Sequence, residues 1–203
     1  MYRQMKLVVI TRPEYFVVEH LLIREFFNEG LDILYLRKND GDTALCERLL
    51  DLLPDYCRER TVILDNYELK SKYGLMGIHI NNAPIQAKRY KGYVSCLCKS
   101  IDDVQTYKQE MKHVLLGPIY SYNENLSPQF SRQKLWEASD NGLIDNKVIA
   151  YGGITDKNVH ELRDLRFGGV AVYGSLAERF NPITSMDFKR VVEYFRLMRR
   201  ITA

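Results

Sequence analysis

The sequence contains few of the residue types that mark a specialised class of protein. Its 203 residues include four cysteines, six prolines and one tryptophan, and 29 lysines and arginines nearly balance 26 aspartates and glutamates. The densest basic run, 196–200, falls at the end of a predicted C-terminal helix, where cations suit the helix dipole. Because the sequence shows no other basic face, we do not expect a nucleic-acid partner.

The cysteines and the apolar segments also lack specialised patterns. Cys46, Cys57, Cys96 and Cys98 do not have metal-site spacing, and no apolar run approaches the roughly 18 residues of a membrane span. No segment has the composition of an export signal. We therefore expect a cytoplasmic protein with free thiols and no membrane segment, in which Cys96 and Cys98 point to opposite sides of a strand.

Eight short apolar runs, most of them separated by helical patterns, organise the whole chain. Buried strands that alternate with amphipathic helices are typical of a parallel sheet covered on both faces. The predicted strands are Leu7–Ile10, Ile33–Leu36, Val62–Leu64, Met76–Ile80, Tyr93–Ser95, His113–Leu116, Val148–Ala150 and Gly169–Val172. An open doubly wound sheet usually has fewer strands and a glycine-rich first turn, so we predict a single α/β domain over 1–203, a (β/α)₈ TIM barrel.

Glycine turns after the last two predicted strands suggest an anion site. Gly152 and Gly153 follow strand seven, and Tyr173-Gly174-Ser175 follows strand eight. The C-terminal ends of barrel strands form the active-site face, and turns seven and eight commonly bind phosphate there. Backbone N–H groups at such glycines can approach an anion closely. The alternative is that Gly152-Gly153 only makes a tight turn.

Other strand ends carry polar candidates with less specific patterns. Arg37 could clamp an anion or form a structural ion pair at the rim. Asp65 could bind a divalent cation or make a turn, although one carboxylate alone is a weak basis for a Mg²⁺ site. Ser95 could donate to an anion or fill a small core position, and His79, within an apolar strand, fits a hydrogen-bonded core histidine.

Read in order, these segments resemble the thiamine phosphate synthase superfamily, which includes a thiazole tautomerase branch. The resemblance is carried by Leu34–Lys38, Ile63–Asp65, Gly77–Ile80, Val94-Ser95, Leu116–Tyr120, Gly152–Thr155 and Gly169–Val172. It implies a barrel enzyme of thiamine biosynthesis that joins hydroxymethylpyrimidine diphosphate to a thiazole phosphate with the help of Mg²⁺. These substrates are small phosphorylated heterocycles, and the barrel is a possible homodimer.

The resemblance also assigns roles to individual residues. Arg37 and Ser95 would contact pyrophosphate as catalytic residues, Asp65 would ligate Mg²⁺, and Tyr35, at the family's glutamine position, would lie against substrate. The thiazole phosphate would be held at a single corner of the barrel face, formed by Gly152, Gly153, Tyr173 and Gly174.

Several family positions differ in this chain. The lysine of the family's Gln-x-Arg-x-Lys falls on Asn39, the second metal aspartate on Pro84, and the Thr-x-Thr-Lys segment on 122–125. The tautomerase branch has a proton-transferring histidine where this chain has Pro118. Two alternatives to the synthase follow: a tautomerase-like isomerase, and a non-catalytic binder of thiazole phosphate or thiamine phosphate.

Overall fold

The chain folds as a closed barrel of eight parallel strands. The computed structural model describes residues 4–38, 43–64, 66–80, 90–121, 129–177, 179 and 184–203. Each strand pairs with the next along the chain, and β1 pairs with β8 to close the sheet. The strands are β1 (Lys6–Ile10), β2 (Ile33–Leu36), β3 (Thr61–Leu64), β4 (Gly77–Ile80), β5 (Tyr93–Cys98), β6 (His113–Leu116), β7 (Val148–Tyr151) and β8 (Gly169–Val172). The predicted (β/α)₈ barrel and its eight strands are confirmed, most of them within a residue at each end.

Helices cover the outside of the barrel. They are α1 (Glu19–Asn28), α2 (Thr43–Asp51), α3 (Asp55–Arg58), α4 (Leu69–Tyr73), α5 (Ile101–Tyr107), α6 (Arg132–Asp140), α7 (Glu161–Asp164), α8 (Gly174–Ala177) and α9 (Ser185–Thr202). Ser100 caps α5 through a reciprocal bond pair with Asp103. In the described part of the chain, no helix is long and apolar enough to span a membrane.

Two apolar layers hold the barrel together. One fills its interior, with Val8, Ile33, Tyr35, Val62, Tyr93, Leu115, Ile149 and Ala171 among its members. The larger layer lies between the strands and the helices. Because successive side chains of a strand point to opposite faces, each strand contributes to both layers. This arrangement explains why the strand sequences are continuously apolar rather than alternating.

The last helix, α9, packs against α1, α8 and β1. Val191, Val192, Phe195 and Met198 form its buried stripe, and the Phe195 ring stacks on Phe26 of α1 with centroids 4.7 Å apart. The packing of α9 beside α8 brings the helix next to the C-terminal end of β8.

The predicted orientation of two cysteines is wrong. Cys96 and Cys98 are both buried in the layer outside β5, and Leu97 between them packs against the barrel interior. Residues two positions apart in a strand share a face, and β5 continues three residues beyond its predicted end. All four cysteines are free and buried.

Candidate anion-binding site

The glycine pair after β7 sits where side chains would not fit. Gly152 and Gly153 have φ angles of 94° and 63°, in the left-handed region that favours glycine. A Cβ on Gly152 would lie 2.6 Å from Pro118 Cα, and one on Gly153 would lie 2.6 Å from the Tyr120 carbonyl oxygen. The turn therefore packs directly on the segment that follows β6. This close packing is itself a sufficient structural reason for both glycines.

We expect Gly153→Ala to lower the free energy of unfolding by about 2 kcal/mol or more, because it combines left-handed strain with a backbone clash. Gly142 is the matched control, since its φ is 70° and nothing lies within 4 Å of its added Cβ. Urea denaturation of Gly153→Ala and Gly142→Ala separates the clash from the strain. Equal losses in the two variants would show that the contact with Tyr120 gives way without cost.

A cavity of about 280 Å³ lies between the turns after β7 and β8. Its lining includes Gly152, Gly153, Tyr173 and Gly174, the four residues of the predicted phosphate corner. The two turns, about twenty residues apart in sequence, meet because β7 and β8 are hydrogen-bonded neighbours, with Tyr151 opposite Ala171. The barrel thus forms a concave site at the predicted place.

Charged side chains that sequence reasoning missed also line this cavity. They are Asp156 and Lys157 from the segment after β7, and Arg179 from beyond α8. The Arg179 guanidinium lies over the Tyr194 ring, and its Nη1 donates to the Ser175 carbonyl oxygen at 2.7 Å. Two cations and one carboxylate around a glycine-lined cavity suit a small anion. No local pattern in the sequence marks Arg179, because its position depends on a contact with α9.

Arg37 lies at the exit of β2 on a backbone fixed by Thr11. The Arg37 N–H donates to Thr11 Oγ1 at 3.0 Å, and that hydroxyl donates to the Arg37 carbonyl at 2.8 Å. The side chain of Arg37 is exposed. Arg37 is outside the lining of the 280 Å³ cavity. It is therefore available to an anion at a different point of the rim.

Lys38, next to Arg37, is buried in the protein interior. Its Nζ lies 2.5 Å from Glu19 Oε1 and also donates to the carbonyl oxygens of Arg12 and Glu14. Lys38 and Glu19 are 6% and 3% exposed. Lys38 therefore ties β2 to α1 and to the loop after β1, and it does not replace the lysine that the resemblance places at position 39.

Tyr35 and Ser95 lie inside the barrel rather than on its rim. Ser95 Oγ is 3.0 Å from His79 Nδ1, and both residues are buried. The Tyr35 hydroxyl is 3.4 Å from that of Tyr93, which in turn is 2.7 Å from His113 Nδ1. Burial raises the pKa of Tyr35 to about 12 and lowers that of His79 to about 4, so both are neutral at pH 7. Contact of Ser95 and Tyr35 with substrate remains a prediction, while the expected core role of His79 matches its place in this network.

The predicted metal ligand, Asp65, lies outside the described residues, as do position 84 and the loop 122–128. Within the described ranges, no group of three histidine, cysteine or acidic side chains could hold a metal ion.

Comparison with known proteins points to one family. A family model described as thiamine monophosphate synthase matches residues 7–176. A thiamine-phosphate synthase of Methanobrevibacter smithii is 22% identical over 173 residues, which cover 79% of this chain and 81% of that protein. A thiamine-phosphate synthase of Bacteroides thetaiotaomicron is 24% identical over 183 residues, 81% of this chain and 88% of that protein.

A solved structure is similar over nearly the full length. The crystal structure of thiamine phosphate pyrophosphorylase from Bacteroides thetaiotaomicron superposes with a TM-score of 0.87 and 37% identity, covering 97% of each chain. Residues 7–176, which the family model matches, run from β1 to α8 and include both glycine turns.

Proposed function

Since the chain belongs to the thiamine monophosphate synthase family, we propose that it joins hydroxymethylpyrimidine diphosphate to a thiazole phosphate. The observation that carries the proposal is the glycine-lined cavity between β7 and β8, with its cations, in a chain that matches this family over most of its length. The cavity suits the phosphate of the thiazole substrate. The named relatives support the same activity.

The reaction needs an anionic leaving group and a neutral nucleophile held face to face. The bond between the pyrimidine methylene carbon and the diphosphate oxygen breaks, and its electron pair leaves on pyrophosphate. The thiazole nitrogen then gives its lone pair to the methylene carbon. Positioning and charge stabilisation are the main contributions that a protein can make to such a step.

We assign these tasks to different parts of the barrel face. The turns at Gly153 and Gly174 would anchor the thiazole phosphate and so aim the ring nitrogen. Arg37, which is exposed at the β2 exit, would contact the pyrophosphate as it leaves. Mg²⁺, with Asp65 as its ligand, remains a prediction from the family resemblance. Cytoplasmic location, expected from the sequence composition, and dimer formation also remain predictions.

The direct test is an assay of the purified protein with both substrates and Mg²⁺, with thiamine phosphate as the readout. We expect product that EDTA abolishes. Arg37→Gln should lower kcat/KM by at least about tenfold, because a charged hydrogen bond to the leaving group is lost. Arg24→Gln, an exposed arginine on α1, is the matched control, and Asp65→Asn should weaken the response to Mg²⁺.

Each outcome separates the candidate functions. Product in the presence of EDTA would contradict the metal assignment, and an Arg37→Gln enzyme that matches Arg24→Gln would contradict the role of Arg37. No product, with thiazole phosphate still bound, would favour a non-catalytic binder. That alternative also uses the cavity, so binding and turnover must be measured separately.

A further inference from the structure

Tyr194 of α9 contacts both segments that form the cavity. Its hydroxyl accepts from the Asp156 N–H at 3.1 Å and donates to Asp156 Oδ1 at 3.0 Å. The centroid of its ring lies 3.8 Å from the Arg179 guanidinium carbon. Burial raises the pKa of the phenol, against the effect of the Asp156 N–H and the nearby Ser175 hydroxyl, so Tyr194 stays a neutral donor.

Arg179 is held in place from two directions. The Tyr194 ring packs against its guanidinium, and the distance from the guanidinium to the ring centroid is within the usual cation–π limit of about 6 Å. Nη1 donates to the Ser175 carbonyl, and in the described part of the chain this is the hydrogen bond that Arg179 makes. A guanidinium has five N–H donors, and among the described residues one of them is engaged in this way, where Arg179 lines the cavity.

Ser175 is a second sign of a ligand. Ser175 is 8% exposed and lines the same cavity. Its hydroxyl lies near that of Tyr194, but among the described residues no atom meets hydrogen-bond geometry with its Oγ. A buried hydroxyl without a partner is costly, and native proteins seldom leave one. An anion in the cavity would supply a well-aligned acceptor.

We infer that Arg179 is a phosphate-binding side chain of this cavity and that Tyr194 is the positioning residue that holds it there. The ligand class is a phosphomonoester dianion, and its identity as thiazole phosphate rests on the proposed function. Asp156 lowers the positive potential of the cavity, but its carboxylate already accepts from Tyr194. The anchoring of Arg179 leaves little side-chain entropy to lose on binding.

The test measures binding of inorganic phosphate by calorimetry in EDTA, which requires no turnover. We expect Arg179→Gln to raise the Kd by about tenfold or more, and Arg179→Lys to raise it less. Arg190→Gln is the control, because Arg190 is an exposed arginine of α9 paired with Asp187, and it should leave the Kd within about twofold. In the enzyme assay, Arg179→Gln should raise KM for thiazole phosphate with little change in kcat, as expected for uniform binding of a remote group.

Tyr194 is tested by a pair of substitutions. Tyr194→Phe keeps the ring under Arg179 and loses the bonds to Asp156, so it should weaken phosphate binding less than Tyr194→Leu, which removes the platform. In the Arg179→Gln background, Tyr194→Leu should have little further effect, because the two residues act as one unit. Additive effects would overturn the positioning role, and circular dichroism checks that each variant is folded.

The outcomes distinguish this inference from the proposed function. Phosphate binding that Arg179→Gln leaves unchanged overturns the inference, whatever the assay shows. Binding that depends on Arg179, in a protein that makes no thiamine phosphate, supports the inference and contradicts the proposed function. If Tyr194→Leu fails to fold, the two Arg179 variants still decide the result.

Discussion

Lys38→Met should lower the free energy of unfolding by about 3–5 kcal/mol, because it leaves the Glu19 carboxylate buried without its partner. The two side chains form an ion pair at 2.5 Å beneath the exit of β2. Burial raises the pKa of Glu19 against the attraction of Lys38, and burial lowers the pKa of Lys38 against the attraction of Glu19. Burial and pairing therefore act in opposite directions on each charge, and the pairing is lost when one partner is removed.

A double variant tests this reasoning. Glu19→Leu combined with Lys38→Met replaces the pair with apolar side chains of similar size, and it should recover much of the lost stability. Recovery will be incomplete, because Lys38 also donates to two loop carbonyls. Urea denaturation provides the measurement. A double variant less stable than Lys38→Met alone would contradict the assignment.

The pair between Lys72 and Glu47 is the matched control. It has a similar contact, 2.6 Å from Nζ to Oε1, but the side chains are 57% and 30% exposed. Exposed pairs are screened by water and ions, so Lys72→Met should cost much less than Lys38→Met. Equal losses would mean that burial does not determine the strength of the Lys38 pair.

The barrel could be predicted from sequence because its strands are local patterns. Four-residue apolar runs such as Ile33–Leu36 and Gly169–Val172 mark strands buried on both faces, and their number and alternation with helices leave one closed architecture. The meeting of the two glycine turns around one cavity followed from the same information. Once the barrel is known, the ends of β7 and β8 must be neighbours.

The contacts that complete the corner could not be predicted, because they join distant segments. Arg179 packs on the ring of a tyrosine on α9, and Lys38 is held in the protein interior by an ion pair with a glutamate on α1. Neither partner lies in a motif. Strand alternation could have predicted that Tyr35 lies inside the barrel. Tyr35 belongs to the paired part of β2, whereas Arg37, two residues later, lies beyond it.

The glycines after β7 were the least informative part of the site prediction. Gly152 and Gly153 follow β7, as the family pattern requires, but their missing side chains also make room for Pro118 and Tyr120. A bulky residue at 153 is expected to weaken phosphate binding and to destabilise the turn together. Because Arg179 is not part of this turn, substitutions of Arg179 separate the effect on phosphate binding from the effect on stability.

The two histidines inside the barrel should make the protein sensitive to mild acid. Burial lowers the pKa of His79 to about 4; burial, with a smaller effect from nearby lysines, does the same for His113. In the unfolded chain both should titrate near 6.5. Because the unfolded state binds more protons between these values, stability is full above pH 6.5 and is lost as the pH falls towards 4.

Between pH 7 and pH 5, each histidine should remove about 2 kcal/mol from the free energy of unfolding. His113→Asn keeps an acceptor near the Tyr93 hydroxyl and cannot be protonated in this range, so it should lose less stability over the same interval. His79→Asn should behave in the same way, and the exposed His160 provides the control substitution. The measurement is urea denaturation at both pH values. If the stability difference between pH 7 and pH 5 is the same in His113→Asn, His79→Asn and the wild type, the buried histidines are not the source of the acid sensitivity.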